Sequence, residues 1–401
     1  MPRLPKINEG WLTLIVLAIG IPIAVAVGIV TFNFATSTTL HPNPEDVTSV
    51  MLSTPKSRWA DAVERSRQFA RQGLIDGNLP GLSVAVGVGQ DITWAEGFGF
   101  ANLADRTPVT PRMQFRIGHA SKALTSAAVG LLLDQGRLKL DDEIQTYVPA
   151  FPKKPWPITL RQLMGHVSGV RHYRGEQADT LAAHCERASD ALPGFARDPL
   201  LFEPETQYRY STYGWVVVSA AIEAVASEPF FRFMRTKVFA PLGLSETTSD
   251  STGDPSLERV TFYTRDFMRR VVPASVDASC FAGASAFLST PSDLVRFGMA
   301  VSKGGFLKPD TVRMLQTPQL LASGKETEYG LGWMLHTVPL AGKSTRLASH
   351  ASRTPVGGST SLLVFPDRAI VVAVTSNKRL SDTRSIALRI AEAFARANEK
   401  E

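Results

Sequence analysis

The residues best suited to chemistry begin at Phe115-Arg116-Ile117-Gly118-His119-Ala120-Ser121-Lys122, at the head of an apolar stretch from Ala120 to Leu133 that stops at Gly136. Positions three apart on a helix lie on one face, a turn from each other, so His119 and Lys122 are neighbours. That spacing suits a nucleophile and the base that activates it. A serine at 119 would complete such a pair, and the chain has histidine there. Two later segments carry groups able to move protons: Tyr210-Ser211-Thr212, within Tyr208–Trp215, and His350-Ala351-Ser352, shortly before Gly357-Gly358-Ser359. Between and around them lie Leu163-Met164-Gly165-His166-Val167-Ser168-Gly169, Phe287-Leu288-Ser289-Thr290-Pro291-Ser292-Asp293, and Tyr329-Gly330-Leu331-Gly332-Trp333.

Taken in this order, the motifs resemble the serine β-lactamase-related superfamily, in its class C, DD-peptidase and esterase-like branch. The resemblance runs from about Ser57 to Ala397 and rests on the succession of patterns, since each alone is weak. It implies Lys122 as the base that deprotonates the nucleophile and Tyr210 as the proton shuttle to the leaving group. His350 stands where a Lys or His opens the third motif, on a strand lining the site. Thr212 and Ser352 fall at substrate-binding positions, and His119 falls where the nucleophilic serine belongs. Thr212 replaces an Asn, and Ser352 replaces a glycine that lets substrate approach the strand, so its side chain should crowd the cleft.

Loss of the nucleophile in a serine hydrolase costs on the order of a million-fold in rate. The resemblance therefore implies a family member that is catalytically impaired or a pseudoenzyme, with a pocket for a small-molecule, peptide, ester or cell-wall-type ligand. Alternatives are an active hydrolase with unusual chemistry on Lys122 and Tyr210, or a tethered binding or scaffold protein. His119 itself admits several readings: a space-filling imidazole, a base or nucleophile, or half of a metal site with His350, for which spacing shows no third ligand. Ser121 could serve as nucleophile only through a shift of register, because the residue three after it is Leu124. His166 reads as structural, and His172, His184 and His336 show no functional pattern. Tyr210 is expected to bring its oxygen within about 5 Å of the Lys122 nitrogen. Neither a metal nor a cofactor is called for.

These residues need a scaffold. Leu82–Val88 and Ile92–Ala95 flank the turn Gly89-Gln90-Asp91 and read as a hairpin. Ser57 to Gln72 has helical apolar spacing, as does Ser381 to Glu399, while Ser359–Phe365 and Ala369–Thr375 read as strands around Pro366-Asp367. The middle, about 156–270, is mostly helical in period. Strands at both ends of a helical middle predict an α+β domain: an antiparallel sheet flanked by terminal helices, with an inserted helical region and a cleft between them.

Composition narrows the classes further. The chain has 401 residues, 44% of them apolar, and a formal net charge of +6. Its Lys and Arg are scattered, which argues against a nucleic-acid surface. Two cysteines, Cys185 and Cys280, lie far apart and read as free thiols. From Trp11 to Ala35 no residue is charged, enough to cross a bilayer, with Arg3 and Lys6 before it and no Lys or Arg again until Lys56. That asymmetry predicts a cytoplasmic N-terminus (1–10), a single span (11–35), a linker (36–56) and an extracytoplasmic domain (57–401), facing a bacterial periplasm. Ala24-Val25-Ala26 leaves a cleaved signal peptide as the competing reading.

Overall fold

The computed structural model describes residues 18–23, 25, 27, 39–173, 183–251, 258–265, 270–272, 276–353 and 357–399. Its strands are β1 (Ser49–Met51), β2 (Gly81–Val88), β3 (Asp91–Asn102), β4 (Thr107–Pro108), β5 (Phe115–Arg116), β6 (Thr248–Ser249), β7 (Thr264–Arg265), β8 (Arg270–Val271), β9 (Phe287–Ser289), β10 (Met334–Leu340), β11 (Lys343–Arg353), β12 (Ser359–Phe365) and β13 (Ile370–Ser376). The main sheet runs β1-β3-β2-β13-β12-β11-β10, with β4 appended to β3. Every pairing along it is antiparallel. The β2–β3 hairpin turns at Gly89, whose φ of 66° is costly for any residue with a Cβ.

The sheet is covered on both sides, so its central strands are almost continuously apolar rather than alternating. Leu82, Val84, Val86, Leu363, Val372 and Val374 face the helices Ala60–Asp76 and Thr383–Asn398. Their sequence neighbours Ala85, Leu362, Val364, Val371 and Ala373 face the opposite way, into the core of the helical region. Each such fully buried Val or Leu contributes roughly 1.5–3 kcal/mol. The helix Pro291–Lys303 lies close against this second face, where a Cβ on Gly298 would come within 2.6 Å of Val371.

A second, three-stranded sheet, β5-β9-β6, prepares the site. Phe115 pairs with Ser289 and Arg116 with Leu288, which fixes the approach to His119 against the segment that follows Ala282–Ser285. Arg116 is buried in an ion pair with Asp250, Nε to Oδ2 at 2.7 Å.

The fold departs from the sequence reading in three places. Cys185 and Cys280 are joined in a disulfide rather than free. A sequence separation of 95 concealed this, and the fold seats the segment after 183 beside Ser279–Phe281, where Cys185 N donates to Ser279 Oγ at 2.9 Å. The 36–56 linker is partly structured: β1 pairs with Glu96–Phe98 and His41 is buried, so the domain starts before Ser57. Among the described residues of the middle region fewer are helical than the period suggested, the longest helix described there being Thr212–Ala226, with Leu160–Met164, Phe230–Phe233 and irregular segments around it.

Most of the 11–35 run lies outside the described residues, and among those described no single helix is long and apolar enough to cross a membrane.

Candidate active site

Strand β5 leads into a tight turn, Gly118–Ala120, and that turn into the helix Ser121–Asp134. Apolar and small residues surround the first turns of this helix, so Lys122 is fully buried. Its Nζ donates to the carbonyl of Ala284 at 2.9 Å and lies 4.8 Å from the centre of the Tyr210 ring. Burial among apolar atoms holds the amine well below its usual range. The turn that supplies the Ala284 carbonyl presses on the helix. A Cβ on Gly283 would come 2.3 Å from Thr125 Oγ1, which donates to the Gly283 carbonyl at 2.9 Å.

The second motif stands at the start of the helix Thr212–Ala226. Ser211 caps that helix, its Oγ accepting from Gly214 N at 2.9 Å and donating to the Arg171 carbonyl at 2.9 Å. Two histidines satisfy neighbouring backbone donors: Ser211 N donates to His166 Nδ1 and Thr212 N to His172 Nδ1, each at 3.1 Å. Because Nδ1 accepts in both, each neutral ring carries its proton on Nε2. The Tyr210 ring packs 4.2 Å from that of His166 and 5.5 Å from that of His119, while its hydroxyl is buried without a partner. Burial pushes that phenol well above its usual pKa.

The third motif lies on β11. His350 is fully buried, its Nε2 3.2 Å from the Tyr329 hydroxyl, and burial with Lys122 nearby lowers it to about 3. Two residues on, Ser352 Oγ accepts the backbone N–H of His119 at 2.9 Å. The His119 ring is half-buried, with Nε2 3.4 Å from Thr212 Oγ1 and the His172 ring 6.2 Å away. Burial comes first among the causes that hold His119 far below its usual value, followed by Lys122 and the other histidines.

His119, Lys122, Tyr210, Thr212, His350 and Ser352 are thus brought together from three distant segments. Lys122 Nζ lies over the face of the Tyr210 ring and makes no hydrogen bond to its hydroxyl. His172 joins them although no motif marked it, and its pKa falls to about 4 through burial and then Lys122. His166 is structural in gripping Ser211, but its ring also packs against Tyr210 and Tyr329. The Ala284 carbonyl was invisible in sequence, since any residue supplies one. Among the described residues no set of three His, Cys, Asp or Glu is disposed to hold a metal.

The sequence profile of the beta-lactamase family matches residues 66–396. The chain belongs to this family. Among curated relatives, the mouse protein "Serine beta-lactamase-like protein LACTB, mitochondrial" is 28% identical, over 84% of this chain and 81% of its own length. Penicillin-binding protein 4* of Bacillus subtilis is 26% identical, over 74% of this chain and 68% of its own. The octameric penicillin-binding protein homologue from Pyrococcus abyssi superposes with a TM-score of 0.70 at 22% identity, covering 84% of this chain and 79% of that one. The α+β fold is therefore that of the beta-lactamases and penicillin-binding proteins, and the chain is a member of the serine β-lactamase-related hydrolases.

Proposed function

We propose that this protein is a membrane-tethered beta-lactamase-family member with a strongly impaired acyl-transfer site that retains ligand binding. The observation that carries this reading is the side chain at 119. An imidazole occupies the turn before Lys122, and the adjacent hydroxyl, Ser121 Oγ, is fully buried with no hydrogen-bond partner. A nucleophile must reach both its base and the substrate, and Ser121 faces no open space. The oxyanion side is altered as well. The backbone N–H at the nucleophile position is the type of donor that stabilises a developing oxyanion, and here Ser352 Oγ already accepts it. The fold and much of the machinery persist, while the reacting oxygen and a free donor do not.

A second reading has one observation in its favour. Burial holds both His119 and Lys122 well below their usual pKa values, which favours their role as bases toward water or an activated ester. Restoring the oxygen separates the two. His119→Ser recreates Ser-x-x-Lys and should gain covalent labelling by fluorescent penicillin, with Ser352→Gly adding to it. Unlabelled variants together with ester turnover by the native chain, lost in His119→Gln, would favour the second reading.

The tether rests on the uncharged run 11–35 with its flanking asymmetry. The disulfide supports an extracytoplasmic domain, since such bonds persist in oxidising compartments. Protease added to spheroplasts should degrade the domain, and a spared domain contradicts this orientation.

A further inference from the structure

A groove of about 530 Å³ lies between the loop that follows Leu160–Met164 and the chain that leaves the helix Pro309–Leu315. Its walls are largely apolar, from Val167, Met314, Pro318, Leu320 and Leu321, and Leu320 is 58% exposed. His119, Lys122, Tyr210 and His350 take no part in its lining. A single exposed leucine is ordinary on a protein surface. A leucine standing at a concave apolar wall is the arrangement that takes up the body of a small ligand.

Two charged side chains reach this groove, Arg161 and Glu205. Arg161 is engaged elsewhere, its Nε and Nη2 donating to Asp141 Oδ1 and Oδ2 at 2.6 and 2.8 Å. The charge of Glu205 is the least of the influences on it. Among the described residues Glu205 makes no ion pair, and its carboxylate accepts one hydrogen bond, from Gln162 Nε2 at 3.0 Å. Arg161 and Asp141 balance each other, so Glu205 leaves the groove one carboxylate unmatched by a cation.

The backbone marks the same residue. Residues 203–206 form a turn in which Thr206 N donates to the Glu203 carbonyl at 3.1 Å, with Pro204 second and Glu205 third. A turn with proline second and a left-handed third residue calls for glycine there, yet Glu205 holds the position at a φ of 65°. The turn is clamped on both sides, Glu205 N donating to the Val167 carbonyl at 2.8 Å and the Glu205 carbonyl accepting from Ala322 N at 2.9 Å. Glycine would make the same backbone bonds without the cost of a Cβ. The conformation therefore does not ask for glutamate, and the side chain must supply the reason.

We propose that this groove binds a small organic cation, an ammonium carried on an apolar body, with Glu205 as its counter-ion. An ammonium has only donors and a carboxylate only acceptors, and the apolar walls take the rest of the ligand. No covalent bond changes.

The test compares phenethylammonium with its neutral isostere phenethyl alcohol on the full-length chain, by calorimetry at neutral pH. The ammonium should bind about tenfold more tightly than the alcohol, and Glu205→Gln should remove that preference. Glu205→Gly should lose the same preference while the melting temperature holds or rises, because the turn then has the residue it favours. Leu320→Arg, at an exposed position, should abolish binding of the ammonium by filling the groove with a like charge. Equal binding of the two compounds, no binding of the ammonium, or undiminished ammonium binding in Glu205→Gly or Leu320→Arg would each overturn the proposal. So would a lower melting temperature in Glu205→Gly, which would mean that Glu205 is kept for the fold. None of these outcomes touches the reading of the site at His119.

Discussion

The two faces of the sheet treat buried charge in opposite ways. On the closed face Glu96 is fully buried, yet its carboxylate accepts Arg67 Nε at 3.0 Å, Arg67 Nη2 at 2.9 Å and the indole N–H of Trp94 at 2.9 Å. On the site face Lys122 is just as buried and has one carbonyl, while His350 has a phenol and a backbone carbonyl. Burial on the first face is matched by charge and hydrogen bonds. On the second it is left uncompensated, which lowers the pKa of the bases and leaves polar atoms orphaned. The difference separates a side designed for stability from one that stores unsatisfied capacity for a ligand.

The comparison can be broken at several points, and the largest effect belongs to the link under the site. Reducing the disulfide frees a loop with a sequence separation of 95, and chain entropy puts the loss at about 4.7 kcal/mol. Chemical denaturation with and without reductant should show it, and an unchanged midpoint would mean that the bridge carries no stability.

Glu96→Ala comes next. It strands Arg67 and the Trp94 indole on the closed face and should cost about 3 kcal/mol. No comparable loss is expected on the site face from removing an orphaned group. Similar losses on both faces would erase the contrast.

The pH dependence reads the site side. Above pH 6.5 a histidine is neutral in both folded and unfolded chains and contributes nothing. Below it the unfolded chain takes up protons that buried His166 and His350 refuse, because burial lowers both. Stability therefore falls as pH falls from 6.5 toward 4, with His350 alone giving a limiting slope of about 1.4 kcal/mol per pH unit. Thermal melts of the native chain and His350→Phe should diverge over that window, and parallel curves would contradict the assignment.

The smallest effect is the most pointed in sign. Tyr210→Phe removes a buried hydroxyl that has no partner, so stability should stay level or rise by up to about 1 kcal/mol. A loss of stability would show that the hydroxyl is satisfied in the folded protein.

Legibility of the sequence followed the same division. Lys122, Tyr210 and His350 were readable because each is a side-chain identity inside a local pattern, and the sheet was readable because Leu82–Val88, Ser359–Phe365 and Ile370–Ser376 are apolar runs bounded by turns. His172 was not readable, since what places it is the N–H of Thr212, forty residues on, and no spacing encodes that. The disulfide and the Ala284 carbonyl escaped for kindred reasons: one joins distant segments, and the other is backbone. The edge strand β1 is too short to show alternation, its three residues all half-buried.

The central claim concerns the oxygen that is missing at 119. Intact-mass measurement of the native chain after incubation with a fluorophosphonate tests it most directly, with His119→Ser as the gain-of-function control and Ser121→Ala as the loss control. The account predicts no adduct on the native chain or on Ser121→Ala, and an adduct at position 119 in His119→Ser. An adduct on the native chain that disappears in Ser121→Ala would make Ser121 the nucleophile and contradict the account.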